Sequence, residues 1–434
     1  MNYSPTKILM LFFLGLIAAG AALLSLPAAR TLESFSFINN LFTSVSAVCV
    51  TGLSVVDIGT YYTKFGQIVI LLLMQLGGIG YMFVSTVITL LIGKMALKDR
   101  RIMQDMFDIS SFAGLKKLLL KAIFFVLAIE FIGAIILTLF FLKDFSFLRA
   151  SYYGVFHSVA AFCNAGFSLF PDSLSMFANA PVVLYVISAL IILGGLGFFV
   201  IVDIYDTYKQ KRLHLTTHTK TVLAVSAGVL AVSFVMFLFS WSAPDKGLFY
   251  FINNSFFQAV SSRTAGFYSL AIVDFNEFVE TALIFIMSIG AAPGSTAGGI
   301  KVTTLALIFV FIRSVLRGDE SYVLFKRRIP ADIVKKAITI FIIFFALAAL
   351  FSAALVLFES YLRPLDVIFE TISAFATVGL SFGITEDLSL GGQIVAIIAM
   401  FVGRIGILTI LMFMLSPSNK VKRIEYPEAR ILVG

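Results

Sequence analysis

The sequence predicts an all-α polytopic membrane protein with four pseudo-symmetric helix–pore-loop–helix repeats around one central pore. Of the 434 residues, 60% are hydrophobic and only 13% are charged, a composition that a water-soluble chain cannot bury. Eight apolar segments reach the roughly 20 residues that a helix needs to cross a bilayer. A glycine-centred pattern also recurs four times among them. The apolar segments lie at 7–29, 66–92, 118–142, 181–204, 220–240, 278–312, 334–358 and 391–415.

Each copy of the recurring pattern has three residues that end in glycine, and a phenylalanine stands ten residues before that glycine. The apolar stretch that precedes each glycine, about 10 to 12 residues long, is too short to cross a bilayer as a helix. It suits a half-membrane pore helix followed by a loop. Such a loop is tolerated at membrane depth only where it lines an enclosed or water-filled cavity. The four copies are Val50-Thr51-Gly52, Asn164-Ala165-Gly166, Thr264-Ala265-Gly266 and Thr377-Val378-Gly379.

Each repeat is expected to run helix, pore helix, loop and helix. Lysine and arginine cluster at the borders between repeats, as at 94–101 and 326–328, and in the tail. Because basic loops stay in the cytoplasm, we expect both termini inside and the pore loops entering from outside. The repeats are assigned to residues 1–93, 94–208, 209–318 and 319–415, and a cytoplasmic tail to 416–434.

This arrangement suits a cation. The C-terminus of a pore helix presents the negative end of its dipole and unpaired carbonyl groups. The glycine that follows allows a backbone conformation in which carbonyl oxygens face the axis and replace the hydration shell of an ion. We therefore predict a cation selectivity filter at the backbone carbonyls of the four copies. The alternative is that the glycines only allow close packing of membrane helices.

The sixth apolar segment is interrupted at 290–300 by glycine, proline, serine and threonine. A simple kink needs only one proline or glycine, so we interpret the interruption as a gate across the conduction path, with a kink as the alternative. The predicted gate comprises Ala292, Pro293, Gly294, Ser295, Thr296, Ala297, Gly298 and Gly299, together with Lys301 and Arg404.

Arg404 lies within the last apolar segment, where an arginine is costly unless it faces a cavity or a cluster of carbonyls. Two readings stay open for this residue. It hinders cations below the filter, or it pairs structurally with backbone carbonyls or with a carboxylate such as Glu130.

The remaining polar residues of the predicted pore helices have structural interpretations. The asparagines of Ile38-Asn39-Asn40 and Ile252-Asn253-Asn254 are expected to cap helix starts. His157 and Glu370 occupy the same place after the shared phenylalanine and are expected to be satisfied within the scaffold. Arg263 is expected to brace its loop near the outer mouth or to tune cation entry.

Cys49 and Cys163 precede the first two copies of the pattern and are expected to be buried small residues rather than a disulfide. The three histidines show no metal-like spacing, so no catalytic metal is expected. The net charge of +8 is spread in short clusters, and no nucleic-acid partner is expected.

At these residues the chain resembles the Trk/Ktr/HKT superfamily of potassium transporters, most closely the Ktr-type membrane subunit. The resemblance covers nearly the whole chain and includes Tyr426-Pro427 and the final Gly434. Pro293 departs from the run of small residues that the family pattern suggests for the gating segment. The motifs that carry the resemblance are the four glycine segments, Phe-Cys-Asn-Ala-Gly-Phe-Ser at 162–168, Arg-Thr-Ala-Gly-Phe at 263–267, Ser-Thr-Ala-Gly-Gly-Ile-Lys at 295–301 and Gly-Arg-Ile-Gly at 403–406.

The resemblance implies uptake of K⁺ across the plasma membrane, often Na⁺-dependent, with K⁺ held at the filter carbonyls. It implies a homodimer with one pore per chain and a cytoplasmic ring of nucleotide-binding regulatory subunits (KtrA-like). The chain itself has neither Gly-x-Gly-x-x-Gly opening a βαβ unit nor a phosphate-binding Gly-Lys-Ser. No cofactor is therefore expected on this chain, and a nucleotide would act through the regulatory partner.

Other functions stay open. A Na⁺-conducting or K⁺/Na⁺-cotransporting member of the same superfamily would share most of these motifs, although glycine at all four filter positions favours K⁺ because some relatives that favour Na⁺ carry serine there. A broken-helix secondary transporter usually has inverted repeats, whereas these four run in one orientation. An intramembrane enzyme lacks support, because the apolar segments contain no paired carboxylates or histidine clusters.

Overall fold

The structure is a computed structural model that describes residues 5–31, 36–92, 112–209, 211, 214–240 and 246–406. Some features predicted from the sequence lie outside the described residues. They are the basic segment at 94–101, the end of the last apolar segment beyond Gly406, and the tail at 416–434 with Tyr426-Pro427 and Gly434.

The described chain is predominantly helical. The first two predicted repeats contain α1 (Pro5–Leu24), α2 (Phe37–Cys49), α3 (Lys64–Ile92), α4 (Phe112–Phe141), α5 (Phe147–Phe162), α6 (Pro181–Leu196) and α7 (Phe198–Lys209). The last two contain α8 (Thr217–Leu238), α9 (Leu248–Ser261), α10 (Glu277–Ser288), α11 (Val302–Arg317), α12 (Ala331–Phe358), α13 (Pro364–Phe375) and α14 (Leu390–Ile405). Shorter helical turns lie at Pro27–Ala29, Ile58–Tyr61, Ser175–Phe177, Ile272–Asp274 and Ile384–Asp387.

Among the described helices, three are long and apolar enough to cross a bilayer unbroken: α4 from Leu120 onward, α8 and α12. The predicted span at 181–204 is wrong as a single helix, because α6 and α7 meet at 92°. The segment at 278–312 is two helices, α10 and α11, separated at 289–301, which agrees with the interruption predicted at 290–300. Counting apolar residues finds membrane segments but did not locate the break at Gly197.

Glycine residues cause two breaks in the apolar helices, one between α6 and α7 and one within α3. Gly197 between α6 and α7 has φ 76 and ψ 145, and Gly80 within α3 has φ 47 and ψ −137. Both conformations lie outside the helical region, and glycine adopts them with little steric cost. The helix axis therefore changes direction at these residues.

The second helices of the predicted repeats, α2, α5, α9 and α13, are short, with 13, 16, 14 and 12 residues. The shared phenylalanines Phe42, Phe156 and Phe369 are fully buried, and Phe256 is half-buried against Tyr185. These four helices therefore form the inside of the bundle, with the longer helices around them.

The short helices begin before the asparagines that were predicted to cap them. The N-cap of α2 is Ser36, whose hydroxyl accepts the backbone N–H of Asn39 at 3.4 Å, and α9 begins five residues before Asn253. Asn253 instead accepts a hydrogen bond from the Tyr185 hydroxyl at 2.6 Å. The capping prediction was wrong because these amides are used in tertiary contacts between helices.

Glycines bring three long helices against the last turn of the preceding short helix. At each contact a Cβ on the glycine would lie within 3.0 Å of a backbone carbonyl oxygen, a distance that real Cβ atoms do not tolerate. Close helix approach in membranes depends on such small residues. The contacting pairs are Gly77 with Val48, Gly194 with Phe162, and Gly403 with Phe375.

Gly194→Ala is expected to destabilise the protein by about 1–3 kcal/mol, because the new methyl group overpacks a contact with rigid backbone. The measurement is thermal unfolding of the purified chain in detergent. Gly228→Ala in α8 is the matched control, since nothing lies within 4 Å of that added Cβ. Equal melting temperatures for the two variants would contradict the proposed packing role of Gly194.

Candidate functional site

The backbone N–H groups of the four glycine segments are tied back to the short helices that precede them. The N–H of Thr51 donates to the Ser46 carbonyl at 2.8 Å, and that of Val378 to the Ser373 carbonyl at 2.8 Å. The equivalent bonds of Ala165 and Ala265 are 2.8 and 3.0 Å. Among the described residues, none of the hydrogen bonds ends on a carbonyl oxygen of the four segments. These oxygens therefore stay available to another partner.

All four segments share an unusual backbone conformation. The residue two positions before each glycine has positive φ: 57° at Val50, 57° at Asn164, 62° at Thr264 and 53° at Thr377. For residues with a side chain, such a conformation costs about 1–3 kcal/mol and persists only where the surroundings enforce it. The same strain at four equivalent positions indicates a shared function rather than a local accident.

The glycines of the four segments lie close together in a ring that follows chain order. A Cβ at Gly52 would be 2.5 Å from the Ala165 carbonyl oxygen, and one at Gly166 would be 2.8 Å from that of Ala265. A Cβ at Gly266 would be 2.5 Å from the Val378 carbonyl oxygen. A Cβ at Gly379 would meet the Thr51 carbonyl oxygen, and this contact closes the ring. We call this arrangement the glycine ring.

The glycine ring excludes side chains for two reasons. The glycine φ angles are 93°, 68°, 80° and 92°, a region that other residues adopt reluctantly. Any Cβ would also meet backbone atoms of the neighbouring segment. A substitution at the ring must therefore displace backbone, and with it the carbonyl oxygens.

On one side of the ring lies a cavity of about 300 Å³, lined by the four glycines and by Asp57, Tyr268 and Glu386. Burial raises the pKa of the Tyr268 phenol, and the carboxylates of Asp172, Glu386 and Asp57 raise it further. The carboxylates of Asp57 and Glu386 lie in the lining of this cavity, which we call the acidic vestibule. Its negative potential would concentrate cations in front of the ring.

On the other side of the ring lies the irregular segment at 289–301, which joins α10 to α11. Gly298 packs against the side chain of Thr377, in the fourth glycine segment. The Ala292 N–H donates to the Gly195 carbonyl at 3.0 Å, and the Thr296 hydroxyl donates to the Phe162 carbonyl at 3.1 Å. The segment is thus held between the second and fourth repeats, directly behind the ring.

Two cationic side chains bind carbonyl groups of this segment. Lys301 Nζ donates to the carbonyls of Ala297 at 2.5 Å and Gly298 at 3.3 Å. Arg404 donates to the Thr296 carbonyl with one nitrogen and to the Gly77 carbonyl with another. Arg404 therefore connects the segment on α10–α11 to α3.

Of the two partners weighed for Arg404, the structure shows carbonyls rather than Glu130. Glu130 Oε2 instead accepts a hydrogen bond from Gln75 Nε2 at 2.9 Å. Both Arg404 and Lys301 also line a cavity of about 260 Å³ beside the 289–301 segment, so the carbonyl contacts are compatible with a role in hindering cations. We call this second space the inner cavity.

Most other predicted polar residues are satisfied as expected. His157 pairs with the Tyr153 carbonyl at 2.8 Å and the Ser168 hydroxyl at 3.1 Å. Glu370 is satisfied only in part, because its Oε1 accepts a hydrogen bond from Thr385 while its buried Oε2 has no partner among the described atoms. Cys49 and Cys163 are buried free thiols.

The position predicted for Arg263 was wrong. Its guanidinium donates to the Ser226 carbonyl at 3.3 Å and the Gly290 carbonyl at 3.4 Å. It therefore braces the start of the 289–301 segment rather than the outer mouth. Its position next to the third glycine segment in the sequence favoured the outer mouth, but the side chain extends towards α8.

Serine residues of the short helices were missed. Ser46 and Ser373 accept the N–H of Gly52 and Gly379, each at 3.1 Å, and so fix the orientation of these peptides. Each serine stands six residues before its glycine. Superposing the repeats on their glycines would have revealed this pair.

A family model for the TrkH cation transport proteins matches residues 10–424 of the chain. The Ktr system potassium uptake protein B of Bacillus subtilis is 37% identical over 100% of this chain and 97% of its own length. Potassium/sodium uptake protein NtpJ of Enterococcus hirae is 35% identical, with 99% and 97% covered. The crystal structure of the potassium transporter TrkH from Vibrio parahaemolyticus superposes with a TM-score of 0.74 at 18% identity, covering 95% of this chain and 85% of that one.

The helical membrane fold and these matches define a cation-transport protein rather than an enzyme. The chain belongs to the TrkH family of cation transport proteins. The resemblance to the Trk/Ktr/HKT superfamily is thereby confirmed, and the chain is a potassium or cation uptake transporter. The likeness to the solved TrkH structure concerns the fold alone.

Glu386→Gln is expected to lower cation uptake roughly twofold at low ionic strength, because one charge of the acidic vestibule is lost. The difference should shrink as added salt shortens the Debye length to about 8–10 Å. Uptake is measured in liposomes at several concentrations of a non-transported salt. Asp387→Asn is the control, since Asp387 is adjacent but does not line the vestibule. Equal effects of the two substitutions, or no dependence on salt, would argue against focusing by the vestibule.

Proposed function

We propose that this chain takes up K⁺ across the plasma membrane, with the glycine ring as its selectivity filter and the four repeats as the quarters of one pore. One observation carries the proposal: Gly52, Gly166, Gly266 and Gly379 form a closed ring with the preceding carbonyls of the neighbouring segments. The oxygens of such a carbonyl ring take the place of the water molecules that a K⁺ ion loses when it enters a filter.

The physical logic has three parts. The N–H groups of each segment bond to its short helix, so the backbone presents acceptors rather than donors to an ion. The short helices end at the ring, and the negative ends of their dipoles add to the attraction. The buried hydroxyls of Thr51, Thr264 and Thr377 have no hydrogen-bond partner among the described atoms, which leaves further oxygens available along the path.

In this proposal the 289–301 segment is the gate. It lies behind the ring against Thr377, and Lys301 and Arg404 place positive charge at the inner cavity. A cation leaving the ring towards this cavity meets both charges. Release of Arg404 from the Thr296 and Gly77 carbonyls would free the segment from α3 and open the path.

The proposal also includes the finer features that the family resemblance implies. These are a homodimer, a cytoplasmic nucleotide-binding ring (KtrA-like), activation by Na⁺, and both termini in the cytoplasm. The relatives named as parts of a Ktr system support a separate regulatory partner. Basic residues lie at 326–328, just after the border between the third and fourth repeats. They support an orientation with both termini in the cytoplasm, because basic loops stay inside.

A second candidate is conduction or cotransport of Na⁺ through the same ring. The name of the Enterococcus hirae relative, a potassium/sodium uptake protein, favours this candidate. Glycine at all four ring positions favours K⁺. Flux of the two ions decides between them.

Gly379→Ser is expected to reduce the preference for K⁺ over Na⁺ by about tenfold or more, equivalent to about 1.4 kcal/mol, because the new side chain displaces the Thr51 carbonyl. The measurement is K⁺ and Na⁺ flux in liposomes that contain the purified chain. Gly228→Ser is the control, because that glycine faces open space. Unchanged selectivity in a folded Gly379→Ser variant would refute the filter assignment.

If neither ion moves with the unmodified chain alone, the candidate nucleotide-binding ring is added with ATP or ADP. Flux that appears only then supports the regulatory partner. If no flux appears in either condition, the proposed uptake function fails.

Arg404→Ala is expected to raise K⁺ flux several-fold, because it removes a charge from the inner cavity and releases the 289–301 segment. Deletion within 291–299 should act in the same direction. Thermal unfolding measured in parallel identifies a variant that is merely unfolded. Arg404→Lys is the matched comparison: it keeps the charge but cannot bridge two carbonyls with a planar fork. Unchanged or reduced flux in folded forms of both the alanine and the deletion variants would favour a structural role.

A further inference from the structure

A small polar cavity lies far from the glycine ring, at the junction of the third and fourth repeats. A two-stranded antiparallel hairpin, β1 (Tyr322–Leu324) and β2 (Arg327–Ile329), connects α11 to α12. The Tyr322 ring packs against Phe311 of α11, with centroids 6.3 Å apart. Between hairpin and helix is a cavity of about 260 Å³. Its lining includes Arg313, Ser314, Asp319, Ser321 and Lys326, with Val310, Val323 and Phe325 at its apolar edge.

The turn of this hairpin is strained. Its two residues, Phe325 and Lys326, have φ angles of 47° and 60°. A two-residue hairpin turn with positive φ at both positions normally carries Asn-Gly or a similar pair. Side chains such as these cost about 1–3 kcal/mol each in that conformation, a cost that is typical of functional sites. The strained turn places Lys326 in the lining of the cavity, which Arg313 shares.

The two basic groups of the cavity are not neutralised within the described part of the chain. None of the ion pairs formed there involves Arg313 or Lys326. Asp319 lines the same cavity, but its carboxylate is not within salt-bridge distance of either cation. The Ser314 hydroxyl donates to the Asp319 carbonyl at 2.9 Å and so fixes the end of α11. The cavity therefore holds two cations that are poised for an external anion.

We propose that this cavity binds the headgroup of an anionic phospholipid, with the phosphodiester between Arg313 and Lys326. Arginine and lysine side chains are the usual ligands of phosphate oxygens, arginine often through two parallel hydrogen bonds. The Asp319 carboxylate suits a headgroup that also carries hydroxyl donors, as phosphatidylglycerol does.

The surroundings favour a lipid over a soluble phosphate. Val323 and Phe325 at the edge of the cavity are 50% and 47% exposed, and Leu316, one helical turn after Arg313 on α11, is 81% exposed. Apolar side chains next to unpaired cations match a molecule with acyl chains below a charged headgroup. The cavity therefore provides both parts of a lipid site at the end of α11.

The same helix leads to the proposed gate. α11 begins at Val302, directly after Lys301, and ends at Arg317. A bound headgroup would fix one end of a helix about 24 Å long whose other end continues the 289–301 segment. The structure thus connects lipid occupancy to the gate, and this connection alone rests on the proposed function.

The test titrates phosphatidylglycerol and phosphatidylcholine into the purified chain in detergent and counts bound lipids by native mass spectrometry. The unmodified chain should prefer phosphatidylglycerol. The double substitution Arg313→Gln with Lys326→Gln should weaken phosphatidylglycerol binding about tenfold, the loss that about 1.4 kcal/mol produces. Arg317→Gln with Arg327→Gln removes the same charge from exposed residues outside the cavity and should change affinity less than about twofold by screening alone.

Equal losses in the two double variants, or retained affinity in the first, would overturn the proposal. A competition arm adds inorganic phosphate and glycerol phosphate. Displacement of the lipid by either one at similar concentration would show a site for soluble phosphate instead. Binding of a cytoplasmic protein that depends on Arg313 and Lys326, with lipid affinity unchanged, would assign the cavity to a protein partner and also overturn the lipid site.

The connection to the gate has its own readout. K⁺ flux of the two double variants is compared in phosphatidylglycerol-containing and pure phosphatidylcholine vesicles. A lipid effect that is lost only in the Arg313/Lys326 variant supports the connection. Flux that ignores the lipid, despite confirmed binding, overturns the connection while the binding site stands.

Discussion

The structure depends on the mutual contact of four stretches of backbone that leave no room for a side chain. Each glycine of the ring faces a carbonyl of the next segment, so no segment can move without disturbing its neighbour. The N–H groups bond away from the ring to the short helices. The carbonyl oxygens of the ring therefore have no hydrogen-bond partner among the described residues, an arrangement that is unfavourable unless a cation or water reaches them.

The rest of the fold stabilises this unfavourable arrangement of carbonyl groups. The short helices are buried within the bundle, and glycines let the longer helices contact the carbonyl ends of three of them. The third repeat differs, because the 289–301 segment replaces the continuous helix there: Gly290 contacts Gly298 of the same segment. The first, second and fourth predicted repeats are thus fixed by helix packing. The third predicted repeat is instead held by hydrogen bonds from Arg263, Lys301 and Arg404. Hydrogen bonds of this kind, from charged side chains to carbonyl groups, break and re-form more easily than contacts between packed stretches of backbone.

The sequence was sufficient for features that repeat and insufficient for features that depend on tertiary contacts. The glycine segments and their short helices were predictable because one pattern recurs four times at similar spacing. The 92° break at Gly197 could not be predicted, since a glycine in an apolar segment is equally compatible with a straight helix. Asn253 and Arg263 were misplaced because their partners, Tyr185 and Gly290, are distant in sequence. The hairpin turn at Phe325-Lys326 lacks the residues that normally signal such a turn.

The ring is assembled from one chain, and this has a consequence for how it can change over evolutionary time. In a symmetric tetramer a single codon change alters all four walls together. Here the positions before the glycines already differ, with Thr51, Ala165, Ala265 and Val378 side by side. A mutation in this chain alters one wall and leaves three intact. If the ring is the filter, as proposed, ion preference can therefore drift in small steps, through intermediates that still function, rather than through one abrupt replacement of the whole ring.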